Sequence, residues 1–399
     1  MENKISTYTI QCPVTFGVDA IETLGQDVKM FGAKKVFVLY DKGVEACGIS
    51  DRVLNILKEV GVEAQGYNDL QGEPIAANVD KAGDAAKAFG ADLIIGVGGG
   101  VAMDTAKLVS VLLANPGSIE EYFLSKGVFF TLTKHAPVIA VTTASGTGAE
   151  STCVAVVSDN DHNKDGVICA CNKAIVDPKL TITAPPHVTA NSGLDALAHA
   201  VESYSAGPLD PVTGTGNDPF SSVIALEAIK LIVDNLEKCY DDGSDLDARI
   251  ALSKAANWAG IAFSNTGVHF GHSAGHEIGA VYGLPHGLAC AWTLPLTVYK
   301  TAEFDKERGI KMAKAMGLDV SEADSAEAIG KAMQDKIVGI MKHCHIPTMS
   351  SKGITREAAA ACAGDAIKHN GFYTNTIRPI PEAEFAEIIG EMFDISETL

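Results

Sequence analysis

The sequence lacks any long unbroken apolar run: its two windows of about twenty residues free of Asp, Glu, Lys and Arg, 255–276 and 278–299, are broken by histidines, glycines and polar side chains, so no membrane-spanning helix is expected. Its most apolar stretch, Ala91 to Ala114, is interrupted by Asp92, Asp104 and Lys107. Basic residues are few: 31 Lys and Arg face 50 Asp and Glu, a net charge of -19. That balance argues against nucleic-acid binding, because phosphate recognition needs clustered Lys and Arg. The nine cysteines are scattered, and only Cys169 and Cys171 lie close, at a spacing that fits no common zinc or redox motif. Reduced thiols in a cytoplasmic protein are the expectation. The opening MENKISTYTIQ carries no apolar run, so no secretory signal is expected. No internal repeat or low-complexity segment is visible.

What is present suits an ordinary globular protein: 399 residues, 47% hydrophobic and 20% charged, enough for two or three domains. The first part alternates β-rich runs with helical periodicity. KKVFVLY (34–40) predicts a buried strand ending at Asp41, with helical patterns in SDRVLNILKEVGV and ANVDKAGDAAKAFG after it. ADLIIGVGGG (91–100) predicts a strand entering a glycine turn, MDTAKLVSVLLA the next helix, and APVIAVTTA (136–144) a third strand. VAVVSD and GVICACNKAIVDP read as a hairpin pair. This alternation implies an α/β domain, a parallel sheet flanked by helices. Beyond Pro185-Pro186 the runs GLDALAHAVESYSA, SSVIALEAIKLIVDNLEKCY, ARIALSKAANWAGIAF and EAAAACAGDAIKHNG are helical in period. The boundary therefore falls at 184, with an α/β domain over 1–184 and an all-α domain over 185–399.

GVGGGVAMDTAK (96–107) joins the second strand to its helix. Glycines let the backbone approach a ligand, and amides at a helix start attract anions, so the turn is a candidate phosphate cradle. The usual dinucleotide fingerprint puts a ribose-binding acid some twenty residues after its glycines. Here the best candidate, Asp41, precedes them. A carboxylate there would bond ribose hydroxyls and repel a 2′-phosphate, favouring NAD over NADP, although taken alone a turn or cap role is commoner. TTASGTGAEST (142–152) is a second loop rich in hydroxyls and glycine, suited to a pyrophosphate or a ribose. The candidate dinucleotide contacts are Asp41, Gly98, Gly99, Gly100, Val101, Asp104, Thr143, Thr147, Thr152 and Lys164.

Asp195 and His199 are four apart on a helical pattern, which stacks them on one face. A lone pair of this kind is usually structural. GHSAGHEIGAVYGLPHG (271–287) adds His272, His276 and His286 among small and apolar residues. Buried imidazoles are costly unless something organises them, and imidazole with carboxylate suits Fe(II), Zn(II) or similar ions. Spacing leaves open whether His272 or His276 takes the inner place. His269 is expected to be mostly structural, His343 and His345 to be surface or loop residues, and His135, His162, His187 and His369 carry no signal.

The ordered motifs DKG (41–43), GGGVAMDTAK (98–107), TTASGTGAE (142–150), GLDALAHAVE (193–202) and the stretch through PHG (285–287) resemble the iron-containing (group III) alcohol dehydrogenase family over essentially the whole chain. The resemblance implies an N-terminal dinucleotide-binding domain and a C-terminal helical domain, the dehydroquinate synthase-like architecture. It implies metal ligands at Asp195, His199, His272 and His286, with Fe(II) the usual ion and Zn(II) also accepted. It sets His276 near the nicotinamide as a proton-relay candidate. The implied reaction is NAD(H)-linked interconversion of a small primary alcohol and its aldehyde, with the metal polarising the alcohol oxygen. A homo-oligomer, dimer or larger, is the expected assembly.

Some positions depart from the family pattern. Val101 and Ala102 replace the Ser and Pro of GGGSPxDxAK, Ala144 replaces the second threonine of PTTxGTGSE, and Glu73 stands where an asparagine is common. Each alters a polar contact near the dinucleotide, worth about 1 kcal/mol. The alternative is a metal- and NAD-dependent lyase of the dehydroquinate synthase type. Such an enzyme would want several Lys and Arg around a polyhydroxylated phosphate, and the helical motifs carry small and apolar residues instead.

Overall fold

The computed structural model describes residues 6–70, 72–127, 134–161, 163–208, 216–369 and 371–399, so His162 lies outside it. The chain divides into two compact units, Ile10–Ala184 and Pro185–Leu399, the latter joined by the described residues up to Thr9. No helix among the described residues is long and apolar enough to cross a membrane.

In the α/β unit the described strands and helices run β1 (Val14–Phe16), α1 (Leu24–Met30), β2 (Lys35–Tyr40), α2 (Lys42–Ala46), α3 (Ile49–Glu59), β3 (Glu63–Tyr67), α4 (Ala76–Phe89), β4 (Leu93–Gly98), α5 (Gly100–Ala114), β5 (Val138–Thr142), β6 (Val154–Ser158), β7 (Lys164–Ile168) and β8 (Lys173–Val176). Six strands form one sheet in the order β1-β8-β5-β4-β2-β3, every pair parallel. A parallel sheet is covered on both faces, so its strands read as continuous apolar runs. On β2, Val36 and Val38 join one core cluster while Phe37 and Leu39 join another.

The strand order explains why Asp41 precedes the glycines. From β2 the chain turns outward to β3, whereas β4, on the other side of β2, is followed by β5. β2 and β4 are therefore neighbours at the point where the winding reverses, with Tyr40 opposite Val97. Ligands of such sheets bind beyond the carboxyl ends of the strands at this switch point. Asp41 follows β2 and Gly99 follows β4, so acid and glycine turn meet there in space although their order along the chain is inverted.

Two local readings need correction, and one strand gave no signal. The hairpin pair is β6 with β7 only (Val154 opposite Ile168), and the remainder of GVICACNKAIVDP enters the main sheet as β8. The reason is that Ala174, Ile175 and Val176 are buried, and Ala174 and Ile175 pair with both β5 and β1. EAQGY, polar and without period, is the edge strand β3, held by its ladder to β2. EAAAACAGDAIKHNG is two short helices rather than one, because a turn at Cys362 divides it.

The second unit is mostly helical among its described residues: α6 (Pro186–Tyr204), α7 (Pro219–Asp241), α8 (Leu246–Thr266), α9 (Phe270–Tyr282), α10 (His286–Phe304), α11 (Lys306–Ala315), α12 (Ala326–His343), α13 (Arg356–Ala361), α14 (Ala363–His369) and α15 (Glu382–Ser396). Local chemistry sets the starts. Pro186 opens α6, where a missing N–H costs nothing. Asp218 and Asp245 accept from Ser221 N and Ala248 N at 2.9 and 3.0 Å, capping α7 and α8. α6 packs against α7, α8 and α10 around one apolar core. Trp292 of α10 is fully buried there, and its Nε1 donates to Pro347 O at 2.7 Å. Trp292→Ala is expected to cost about 3–5 kcal/mol of stability, read as a lower denaturant midpoint. An unchanged midpoint would contradict this packing.

Candidate metal centre

Three helices of the second unit bring the candidate ligands together. Asp195, His199 and Glu202 follow one another at spacings of four and three on α6, hence on one face. His272 lies on α9 and His286 is the first residue of α10. His286 Nε2 is 3.3 Å and His272 Nε2 3.7 Å from Asp195 Oδ1, and His199 Nδ1 is 3.9 Å from Asp195 Oδ2. Two glycines permit this convergence. A Cβ on Gly287 would lie 2.4 Å from Asn191 O, and one on Gly271 would lie 2.6 Å from Glu202 Oε1. Larger residues would push His286 and His272 away from α6.

Among the described residues, Asp195 Oδ1, His199 Nδ1 and His272 Nε2 are buried without a hydrogen-bond partner. Such atoms are expensive to bury, and a cation placed among them would satisfy all three. The donor chemistry, carboxylate and imidazole, suits a first-row divalent ion. The residues thus fit the metal that the sequence motifs imply.

Electrostatics point the same way. Burial works against the Asp195 carboxylate, but His199 and His286 outweigh it and hold it well below the usual range. Burial lowers His199 to about 3. Burial also opposes charge on His286, yet Cys290 and Asp195 lift it to about 10.

Around the ligands stands an outer layer that sequence reasoning missed. Glu202 Oε1 takes His272 Nδ1 at 2.6 Å, and Oε2 accepts the backbone N–H of His269 at 2.5 Å. His272 and His269 outweigh the burial of Glu202 and lower it to about 2. His269 in turn bonds Ser205 Oγ through Nε2 at 2.9 Å. A carboxylate on Nδ1 fixes the tautomer that leaves Nε2 available to a metal. The signal was present, since Glu202 is three residues beyond His199 on the same helical face. Cys290, four residues after His286, was also passed over. One ligand atom each from Asp195, His272, His286 and Cys290 lie within 4.8 Å of one another. His199 is outside that set; its ring stacks on Phe263 at 4.2 Å and lies 4.3 Å from His272.

His276, half-buried, sits one turn beyond His272, its ring centroid 5.7 Å from His272 and 5.0 Å from His286. It is also outside the close group. His343 is exposed and bonds Asp241 at 2.8 Å, clear of the cluster.

The dinucleotide candidates belong to the α/β unit. Asp41 Oδ1 caps α2 by accepting from Val44 N at 2.9 Å. Thr143 N bonds Gly98 O at 3.0 Å, tying the loop after β5 to the end of β4. A Cβ on Gly100 would lie 2.8 Å from Thr147 Cγ2, so only glycine lets these loops touch. Asp104 and Thr152 are buried partners of Lys107, at 3.4 and 2.9 Å, and brace α5 against the segment before β6. The Lys164 side chain, 7% exposed, pairs with Glu73 at 2.8 Å. Glu73 and Val101, two of the departures from the family pattern, line one small recess with Thr105 and Asn78.

The chain is similar to known proteins over most of its length. The family model described as iron-containing alcohol dehydrogenase matches residues 13–178, and that of the Fe-containing alcohol dehydrogenase family, C-terminal, matches 189–393. Sulfoacetaldehyde reductase of Bilophila wadsworthia is 32% identical over 97% of this chain and 98% of its own length. NAD-dependent methanol dehydrogenase of Bacillus methanolicus is 34% identical, covering 79% of this chain and 81% of that protein. A crystal structure of 1,3-propanediol oxidoreductase superposes with a TM-score of 0.89 at 28% identity, covering 98% of this chain and 100% of the other.

Proposed function

This chain belongs to the iron-containing alcohol dehydrogenase family, and from that premise we propose a metal-dependent, NAD(H)-linked interconversion of a small primary alcohol and its aldehyde. It is an oxidoreductase of the alcohol dehydrogenase class, not a lyase. What carries the metal-dependent reading is the group of buried atoms without a hydrogen-bond partner, Asp195 Oδ1, His199 Nδ1 and His272 Nε2. Asp195, His199, His272 and His286 are the proposed ligands of Fe(II) or Zn(II), and the helical unit is the metal-binding domain. The α/β unit is the dinucleotide domain, with Gly98, Gly99, Gly100 and Thr147 as its phosphate cradle and Asp41 on the ribose.

When bound, the metal polarises the alcohol oxygen and the nicotinamide accepts or returns the hydride. The chain's own residues do the rest. Asp195 and Glu202 supply negative charge that holds the cation, and Glu202 aims the His272 ring. His276 is half-buried, beside His286, and an imidazole there can pass the alcohol proton to water. Phe263 and Phe372 lie beside His199 and His276, which favours a small apolar carbon chain. The relatives named above take, by their names, sulfoacetaldehyde, methanol and 1,3-propanediol, all small. We further propose a cytoplasmic homo-oligomer. In support, none of the nine cysteines forms a disulfide, and the edge strand β1 leaves Phe16 39% exposed.

The test is metal analysis followed by a panel of short alcohols and aldehydes with NAD(H) and NADP(H). Turnover is expected with NAD(H) at least about tenfold above NADP(H), since a repelled 2′-phosphate costs about 1.4 kcal/mol or more at this site. Equal use of both cofactors would remove Asp41 from its assigned role. Product formation without net NADH change would restore the lyase.

A further inference from the structure

Glu277 follows His276 on α9 and is only 8% exposed. A carboxylate at that depth is costly without a partner. It is met by the last residue of α14, whose His369 Nδ1 donates to Glu277 Oε2 at 3.2 Å. The 3-10 turn Gly371–Thr374 comes next along the chain, and Asn375 fastens its far end. Asn375 Nδ2 donates to Thr266 O at 2.8 Å and to Val268 O at 3.1 Å, carbonyls at and just beyond the end of α8. Helix-end carbonyls have no partner within the helix, so these bonds fill a standing need. Between the two fastenings lies Phe372, half-buried. Its ring meets that of His276 edge-on, with centroids 5.7 Å apart and planes at 86°, an arrangement aromatic rings favour. Phe372 thus stands two ring contacts from the ligand His286.

Resting on the alcohol dehydrogenase reading above, we propose that Glu277 and His369 are positioning residues for substrate length: their pair fixes the near end of the turn 371–374 against α9, so that Phe372 closes the site beside His276 and stops the carbon chain of the alcohol. Neither residue touches a reacting atom. Their effect passes through the backbone of the turn, which Asn375 holds at the other end. Tyr373, next to Phe372, adds a third hold by stacking on Phe385 of α15 at 5.4 Å. Loss of the Glu277 contact therefore loosens the turn at one point without releasing it.

The experiment measures kcat/KM of the purified full-length protein, supplied with Fe(II) or Zn(II) and NAD, over straight-chain primary alcohols from ethanol to 1-octanol. Phe372→Ala is expected to raise the ratio of 1-octanol to ethanol at least about tenfold, the low end of what one methylene is worth in an apolar pocket. Glu277→Gln and His369→Ala should each move the ratio the same way, chiefly through KM for the longer alcohols. The double variant should go no further than the larger single one, because both residues act through one contact. His369, 32% exposed in its side chain, can be changed without opening the core. Glu307→Gln removes the same charge from an exposed pair with Lys311 and should leave the ratio unmoved. A lower denaturant midpoint with an unmoved ratio in Glu277→Gln and His369→Ala overturns the proposal and leaves the function standing. So does an unmoved ratio in Phe372→Ala. Failure of the unmutated protein to turn over any of these alcohols, or their aldehydes in reverse, overturns both.

Discussion

Asp195→Ala is expected to leave the purified protein without stoichiometric metal and to lower kcat/KM about a thousandfold or more. Asp195 is the only carboxylate in the close group of donors, 1% exposed, and both His272 Nε2 and His286 Nε2 approach its Oδ1. Without it the remaining donors are neutral or compete for protons, and a buried divalent ion loses its anionic partner. Lewis-acid stabilisation of a reacting oxygen is worth several kcal/mol, and about 4 kcal/mol corresponds to a thousandfold in rate. Asp195→Asn keeps the shape while removing the charge, so it separates ligation from folding. Metal content by elemental analysis and rates on the best alcohol are the readouts. A variant that retains both metal and turnover would remove Asp195 from the site.

The second large effect falls on Glu202, which touches no proposed reacting atom. Glu202→Ala removes a buried carboxylate that holds His272 Nδ1 and two backbone N–H groups, those of His269 and His272. Breaking a buried charged pair from one side costs about 3–5 kcal/mol, so a clear drop in denaturant midpoint is expected. Glu202→Gln retains volume and one acceptor, and should stay folded while binding metal about 10–100-fold more weakly. The sign of the pH dependence follows from the lowered acidity. The folded value of about 2 lies below the ordinary 4.5, so this stabilisation is complete above about 4.5 and fades as pH falls toward 2. Glu202→Gln should flatten that acid limb of the stability curve. Unaltered metal affinity in a folded Glu202→Gln protein would make Glu202 purely structural.

The buried strands were legible because a parallel sheet demands unbroken apolar runs, which KVFVLY and LIIGVG supply. The polar edge strand EAQGY was not, because its place comes from backbone pairing with β2 and leaves no side-chain pattern. The hairpin was half legible: β-rich residues announced strands at 154–158 and 173–176, but not that the second would leave its neighbour for the main sheet. Asp41 shows a different gap. Its place before the glycine turn departs from the usual order of a ribose-binding acid, and only the order β4-β2-β3 sets the two side by side.

At the metal centre, the sequence by itself determined that Asp195 and His199 share a face and that His272 and His276 do too, since helical spacing settles neighbours within one helix whatever surrounds it. It also determined, through its ordered motifs, the reaction class. Tertiary structure alone decided which atoms meet across helices. α6, α9 and α10 come close enough at Gly271, Gly275 and Gly287 to gather His272, His286 and Asp195, to place Glu202 behind His272, and to admit the sulfur of Cys290. Contacts between helices depend on packing distance and rotation, which no periodicity within a single helix encodes.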